Sequence, residues 1–282
     1  MFNKTIQMFI FDGNPNGKIM CELSNWNGRV YKIARSELKT FSNRNDANNT
    51  GIYFLFGKNE SNKETIYIGE AERVSERLKQ HLNDTDYWND CIAVISKDNL
   101  LNKAHVKFLE HKFYKQAVES GRFEIINATI PTLSSVSEYD EAMLEEFISN
   151  AKLLVNTLGY KAFESISLNS NNTNSDTSLF HINAARGANA TGYTVSDGFV
   201  VKKDSVIAVS TTPSMSDSLK RLRQNLIDDG IIDSLNKFTK DYIFTSPSLA
   251  AAVIMGRNAN GRTEWKTSDG VTIKQIEESQ NQ

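Results

Sequence analysis

Apolar positions recur along this chain with two periods, two and three-to-four, and the changes between them mark the elements. Gly51-Ile52-Tyr53-Phe54-Leu55-Phe56 is a β-branched and aromatic run, and Thr65-Ile66-Tyr67-Ile68-Gly69 follows it after a polar turn. Two adjacent strands are predicted. From Glu72 to Leu82 the period lengthens: Val74, Leu78 and Leu82 form one stripe, which predicts a helix with Arg77 and His81 as neighbours on its edge. A second helix buries Val106, Leu109, Phe113 and Ala117. A third, over 140–158, places Met143, Phe147, Ala151, Leu154 and Leu158 on one face before Gly159 stops it.

Outside this middle block the pattern is looser. Gly13-Asn14-Pro15-Asn16-Gly17 is turn chemistry between two short apolar segments, and Asn25-Trp26-Asn27-Gly28 ends the second, so a small β-meander leads the chain. Residues 165–178 are polar and low in complexity, unable to bury enough apolar area to offset their ordering entropy, and predict a linker. Beyond it, 193–201 and 206–210 read as strands, and Leu219, Leu222 and Leu226 as a helix ended by Gly230. Ser246-Pro247 opens another helix, with serine as N-cap and proline at its first position, that stops at Gly256. Asp269-Gly270 is a hairpin turn signal. The expected organisation is a β-rich lead at 1–48, a domain at 49–165, a Ser/Asn-rich linker at 166–178 and a C-terminal α+β domain at 179–282.

Composition narrows the class. Apolar residues make up 39% and charged residues 23%, ordinary for a globular chain and unlike a collagenous or wholly disordered one. No apolar run is long enough to span a bilayer, and the short stretch at 8–11 is too brief for a signal peptide. Two distant cysteines, Cys21 and Cys91, fit a reducing cytoplasm without a disulfide framework or a cysteine-rich zinc site. Net charge is −2, and residues 51–165 hold 13 basic against 18 acidic side chains. A nucleic-acid partner would therefore be held by local patches rather than by a global field. Arg29, Lys32, Arg35, Lys39 and Arg44 form one such stretch, read either as a solvated face or as a phosphate-contacting arm.

Within the middle block, Glu110 breaks the helical pattern. It lies four residues after Val106 and three before Phe113, placing an acid on the apolar face, where it calls for a cation: a structural ion pair or a metal. Asn127, in Ile125-Ile126-Asn127-Ala128-Thr129, reads by itself as a turn or cap residue.

Taken in order, Gly51-Ile52-Tyr53, Tyr67-Ile68-Gly69, Arg77 with His81, Glu110 and Asn127 resemble the motif set of the GIY-YIG endonuclease family. The fuller likeness is to a bacterial subgroup in which the nuclease module precedes a C-terminal domain of unknown function. It is carried by Tyr67-Ile68-Gly69-Glu70-Ala71, Lys103-Ala104-His105-Val106, Pro131-Thr132-Leu133, Ser246-Pro247-Ser248 and the segment 256–262. The resemblance implies a small three-stranded antiparallel sheet flanked by helices and hydrolysis of DNA phosphodiesters. It further implies that Glu110 holds one Mg²⁺ or Mn²⁺, that Tyr53 is the general base with its pKa lowered by Arg77 and the metal, and that Arg77 clamps the scissile phosphate. Tyr67 and His81 would complete the hydrogen-bond shell, and Asn127 would brace the phosphate or the glutamate.

Two other readings stay open. In one, the chain keeps the fold without the reaction and binds nucleic acid through the C-terminal domain, where Arg257, Arg262, Trp265 and Lys266 interleave cations with an aromatic. In the other it is a protein-interaction subunit of a defence or repair assembly.

Overall fold

A computed structural model describes residues 3–84, 87–164, 178–196 and 198–280 and divides the chain into two units, 1–165 and 166–282. The linker expected at 166–178 lies, but for Ser178, outside the described residues. Eight α-helices and two sheets are present among the described residues, an α+β class in both units.

The first unit runs β1 (Ile6–Ile10), β2 (Lys18–Leu23), β3 (Gly28–Ala34), a single-turn α1 (Leu38–Phe41), β4 (Gly51–Lys58) and β5 (Glu64–Ala71). It continues through α2 (Val74–Asp84), β6 (Trp88–Ser96), α3 (Lys103–Ser120), β7 (Glu124–Ile125) and α4 (Glu138–Thr157). The strands form one seven-stranded sheet in the order β1-β2-β3-β6-β4-β5-β7, antiparallel except for the short parallel pairing of β7 on β5.

This corrects the expected small three-stranded sheet. β6, β4 and β5 are its centre, and the lead strands extend it, because β3 pairs along most of β6, from Gly28 opposite Ser96 to Ala34 opposite Asp90. A bare β6 edge would leave a row of unpaired peptide groups beside a strand whose residues from Cys91 to Ser96 are all buried, and β3 supplies their partners.

Alternation along the strands divides the core in two. Ile52, Phe54, Ile66, Ile68, Ile92 and Val94 face α3 and α4. Tyr53, Leu55, Tyr67, Cys91, Ala93 and Ile95 face the opposite side, with α1 and α2. The helices form where capping and period agree. Asn102 and His105 close a capping box at the start of α3, which ends on Gly121 at φ 61°, and Ser137 caps α4. On α4 the buried stripe is Leu144, Phe147, Ile148, Ala151, Leu154 and Val155, whereas Met143 is 40% exposed, one position out of the expected register.

The second unit places β8 (Phe180–Asn183), β9 (Asn189–Val195), β10 (Gly198–Val201) and β11 (Tyr242–Phe244) in an antiparallel sheet ordered β11-β10-β9-β8. Around it lie α5 (Asp217–Asp228), α6 (Pro247–Met255), a one-turn α7 (Gly261–Glu264) and α8 (Ile273–Gln280). The segment read as one strand over 193–201 is two, paired as a hairpin from Gly198 opposite Val195. Val206, expected inside a strand, makes only isolated bridges. α6 matches expectation: Ser246 accepts the Leu249 N–H, Pro247 opens the helix and Gly256 ends it at φ 62°. No helix among the described residues is long and apolar enough to cross a membrane.

The central strands approach their neighbours too closely for side chains at some points. At Gly57, where the β4–β6 register shifts, an added Cβ would fall 1.8 Å from the Tyr87 carbonyl oxygen and 2.9 Å from Trp88 Cα. Both atoms are backbone and cannot swing aside. Gly57→Ala is expected to destabilise the first unit by about 2–3 kcal/mol, read as a lower urea midpoint at unchanged slope.

Candidate active site

Tyr53 and Tyr67 lie on neighbouring strands and point to the α2 face. Their rings stack at 6.2 Å and 25°, and His81 from α2 packs edge-on against both, at 5.5 Å and 5.0 Å between centroids. Tyr53 is buried, and its hydroxyl is 2.9 Å from His81 Nε2, so with that nitrogen unprotonated the hydroxyl donates to it. Arg77, one turn before His81, reaches the same place from the exposed side of α2. Its guanidinium interacts with both tyrosine hydroxyls, and one of its terminal nitrogens donates to Gln80 Oε1 at 2.6 Å.

The second glycine of the motif pair has a steric role here. Tyr53 is the cross-strand partner of Gly69, and its ring lies over that residue. A Cβ at 69 would stand 2.4 Å from both Cζ and the hydroxyl oxygen of Tyr53. Gly51 is constrained in the same way by the Val94 carbonyl of β6, 2.3 Å from where its Cβ would be. The two glycines therefore seat the tyrosine-bearing strands at close range.

Glu110 comes from α3, on the other face of the sheet, and meets the tyrosines at the edge of β5. Along this edge, which β7 covers only at Thr65 and Ile66, residues 66, 68 and 70 of β5 turn their peptide groups outward. Ile66 O accepts from Ile126 N at 3.0 Å. At Ile68 the Asn127 side chain stands in for a strand: its Oδ1 accepts from Ile68 N at 3.0 Å and its Nδ2 donates to Ile68 O at 2.7 Å. At Glu70 the peptide N–H is accepted by the Glu110 carboxylate. Asn127 is thus a backbone-positioning residue behind Tyr67 and Gly69. It does not reach the pocket where a phosphate or the glutamate end would be braced.

Tyr53, Tyr67, Glu70, Arg73, Glu76, Arg77, Gln80, Lys103 and Glu110 surround an open pocket of about 460 Å³. Five of the six motif side chains meet at or beside it, since His81 backs Tyr53 and only Asn127 stands away. Glu70, Arg73, Glu76, Gln80 and Lys103 were not singled out from the sequence as site residues. The signal for two of them was helical spacing, because Arg73 lies four residues before Arg77 and Gln80 three after it, whereas Glu76 directly precedes it.

Electrostatics differ from expectation at Tyr53. Burial pushes its hydroxyl pKa well above the ordinary tyrosine value, Tyr67 adds to the rise, and the pull of Arg77 in the other direction is smaller. The expected lowering by Arg77 is real in sign but is outweighed by loss of water. The Glu110 carboxyl is raised to about 7, first by burial and next by the charge of Glu70, with Lys103 and Lys107 opposing. Glu110 is half-buried and short of positive charge.

The other candidate residues are engaged elsewhere. Trp265 is completely buried, packs 4.4 Å from Phe199 and donates to the Pro247 carbonyl at 3.0 Å. It is a core residue of the second unit and cannot stack on a base. Arg257 pairs with Glu264 at 2.7 Å and Arg262 with Glu277, its Nε at 2.8 Å. Lys266 is exposed, and its backbone bridges His181 and Thr272. The interleaved pattern is therefore a packed hairpin edge with paired charges. In the first unit Arg29 is tied to Glu22 and Asp46, Arg44 to Asp46, and the Arg35 guanidinium lies 4.5 Å over the Trp88 ring. These favour the solvated-face reading of the 29–44 stretch over a phosphate-contacting arm.

A family model described as a domain of unknown function, DUF4357, matches residues 180–277, which fall in the second unit and leave the first uncovered. No match to the chain is found among the curated proteins or the solved structures.

Two outcomes are expected. Because the Glu110 pKa is raised from the usual 4.5 to about 7 on folding, the native protein binds more protons than the unfolded chain in that window. Stability then falls as pH rises from about 4.5 to about 7. In EDTA, thermal midpoints of Glu110→Gln should exceed those of wild type by a margin that opens across this window, is flat above it and vanishes below it. Asn127→Leu, which strips both polar partners from the Ile68 peptide, is expected to cost about 1–3 kcal/mol in urea unfolding.

Proposed function

We propose that the first unit is a divalent-metal-dependent nuclease of the GIY-YIG type, hydrolysing phosphodiesters of nucleic acid, with DNA as the favoured substrate. The observation that carries this reading is the meeting of the Tyr53 hydroxyl, its imidazole partner His81, the Arg77 guanidinium and the Glu110 carboxylate around one open pocket. They come from three elements and both faces of the sheet, and hydrolysis of a phosphodiester needs such a set: a base for water, a cation for the phosphate and an anchor for a metal.

Glu110 suits a metal. Its carboxylate is half-buried, lies beside Glu70 and lacks balancing positive charge, which is the chemistry that a hard divalent cation satisfies. Among the described residues no three His, Cys, Asp or Glu side chains cluster as a ligand set, so the fit is to an ion such as Mg²⁺ or Mn²⁺ that keeps most of its waters. When bound, that ion would neutralise charge developing on the phosphate.

The chain's own groups do the rest. With burial holding Tyr53 protonated, it serves as a base only if its proton leaves as another arrives, and His81 Nε2 at 2.9 Å is the acceptor. In this reading a water gives its proton to the tyrosine oxygen while the tyrosine proton passes to His81. The hydroxide attacks phosphorus, and the leaving oxygen departs with the bonding pair and takes a proton from solvent. Arg77 offers its planar fork to the scissile phosphate and favours any negative charge on the tyrosine oxygen. Tyr67 fixes the Tyr53 ring by stacking. Gly69 leaves room for it.

A panel of linear, nicked, flapped and four-way DNA, phage-modified DNA and RNA, with Mg²⁺ or Mn²⁺, tests the reading. Tyr53→Phe should cut about 10²- to 10⁴-fold more slowly than wild type, and Glu110→Ala should lose metal-dependent cutting with its circular dichroism unchanged. A wild-type chain inert on every substrate, or a Glu110→Ala protein as active as wild type, would overturn it.

A further inference from the structure

The pocket holds a cation of its own. Lys103 opens α3, and its ammonium is 2.7 Å and 3.0 Å from the two carboxylate oxygens of Glu70. Glu70 directly follows the motif glycine on β5, and strand alternation turns its side chain to the α3 side, where it is only 13% exposed. Glu110 lies seven residues after Lys103, two helical turns along the same face, and its carboxylate accepts the Glu70 peptide N–H. Glu70 is therefore held between a lysine and the glutamate assigned above to the metal. All three line the pocket.

The backbone of α3 disfavours a cation at this place. The first turn of a helix carries the positive end of its dipole, which disfavours an ammonium. The attraction that keeps Lys103 here comes from Glu70, which it contacts, and from the nearby charge of Glu110. Its stem is long and its side chain is 46% exposed, so the ammonium can leave for water without unpacking anything.

We propose that Lys103 is a resident counter-ion of the Glu70 carboxylate, which a divalent cation arriving at Glu110 displaces, so that Glu70 becomes the second carboxylate to hold the ion. This rests on the metal reading of Glu110. Two carboxylates that gain a divalent ion exchange one positive charge for two, and the ammonium cannot occupy the same oxygens as the metal. Lys103 then sets the metal concentration at which the site fills, and Glu70 is a metal-binding residue beyond the six motif positions. The freed ammonium stands at the pocket rim, where a phosphate would meet it.

Mn²⁺ binding to the full chain, read by the electron paramagnetic resonance signal of free Mn²⁺, tests this without any turnover. Lys103→Gln should tighten Mn²⁺ binding about tenfold, and Lys103→Arg, which restores a cation, should return it toward wild type. Lys107→Gln removes a charge that also acts on Glu110 but makes no contact with Glu70, and should change affinity less than about twofold. Glu70→Gln should weaken binding about tenfold or more and erase the effect of Lys103→Gln in the double variant. Equal effects of Lys103→Gln and Lys107→Gln, or full Mn²⁺ affinity in Glu70→Gln, would overturn the proposal while Glu110→Gln still abolishes binding and the metal reading stands. If Glu110→Gln binds Mn²⁺ as wild type does, both fall together.

Discussion

The candidate site depends on the ring of Tyr53 lying across a position that has no side chain. Gly69 is its cross-strand partner, and any Cβ there would collide with the phenol at its oxygen end. The backbone ladder fixes how close β4 and β5 lie, and the missing side chain lets the Tyr53 ring lie across β5 at that spacing. Tyr67 stacks on the same ring, and His81 closes on the hydroxyl from α2. Gly51 repeats the constraint on the β6 side, so the strand bearing the tyrosine is held from both neighbours. The glycines flanking the tyrosines have a packing reason apart from any catalytic one.

The second constraint is the open edge of β5. Its outward peptide groups need partners, and three different devices supply them: a two-residue strand, an asparagine side chain and a glutamate carboxylate. Two of the residues that read as catalytic from the motif thus also complete a sheet. For Asn127 that accounts for both ends of its amide. Glu110 also lines the pocket, and that side of its carboxyl is the one the proposed metal would use.

In both units the arginines that stand out in the sequence are already engaged. In the second, Arg257 and Arg262 are paired and Trp265 is core, so its surface offers no stacking platform of the kind the interleaved sequence suggested. In the first, the 29–44 arginines are committed to Glu22, Asp46 and Trp88. Cations that remain near the pocket are Arg73, Arg77, Lys103 and Lys107, and of these Arg73 pairs with Glu76 and Lys103 with Glu70. A polyanion would engage a small local patch in an otherwise acidic unit, so its binding should respond to single substitutions there more than to bulk charge.

Sequence alone determined what is local and periodic. α2 and α3 follow from apolar spacing, α6 from Ser246, Pro247 and Gly256, and β4 and β5 from β-branched and aromatic runs between glycines. Glu110 was legible as an anomaly because an acid on an apolar face violates the pattern. Tertiary structure decided the rest, for reasons of long range. Whether the lead stands apart or joins the sheet depends on a β6 edge some 60 residues away, which no local propensity records. The role of Asn127 depends on an unpaired peptide at Ile68, the elevation of the Tyr53 pKa on how completely three elements exclude water, and the burial of Trp265 on Phe199 and Pro247. Residue type and spacing name the groups able to act, whereas burial and pairing, set by elements distant in the chain, decide which of them are left with charge to use.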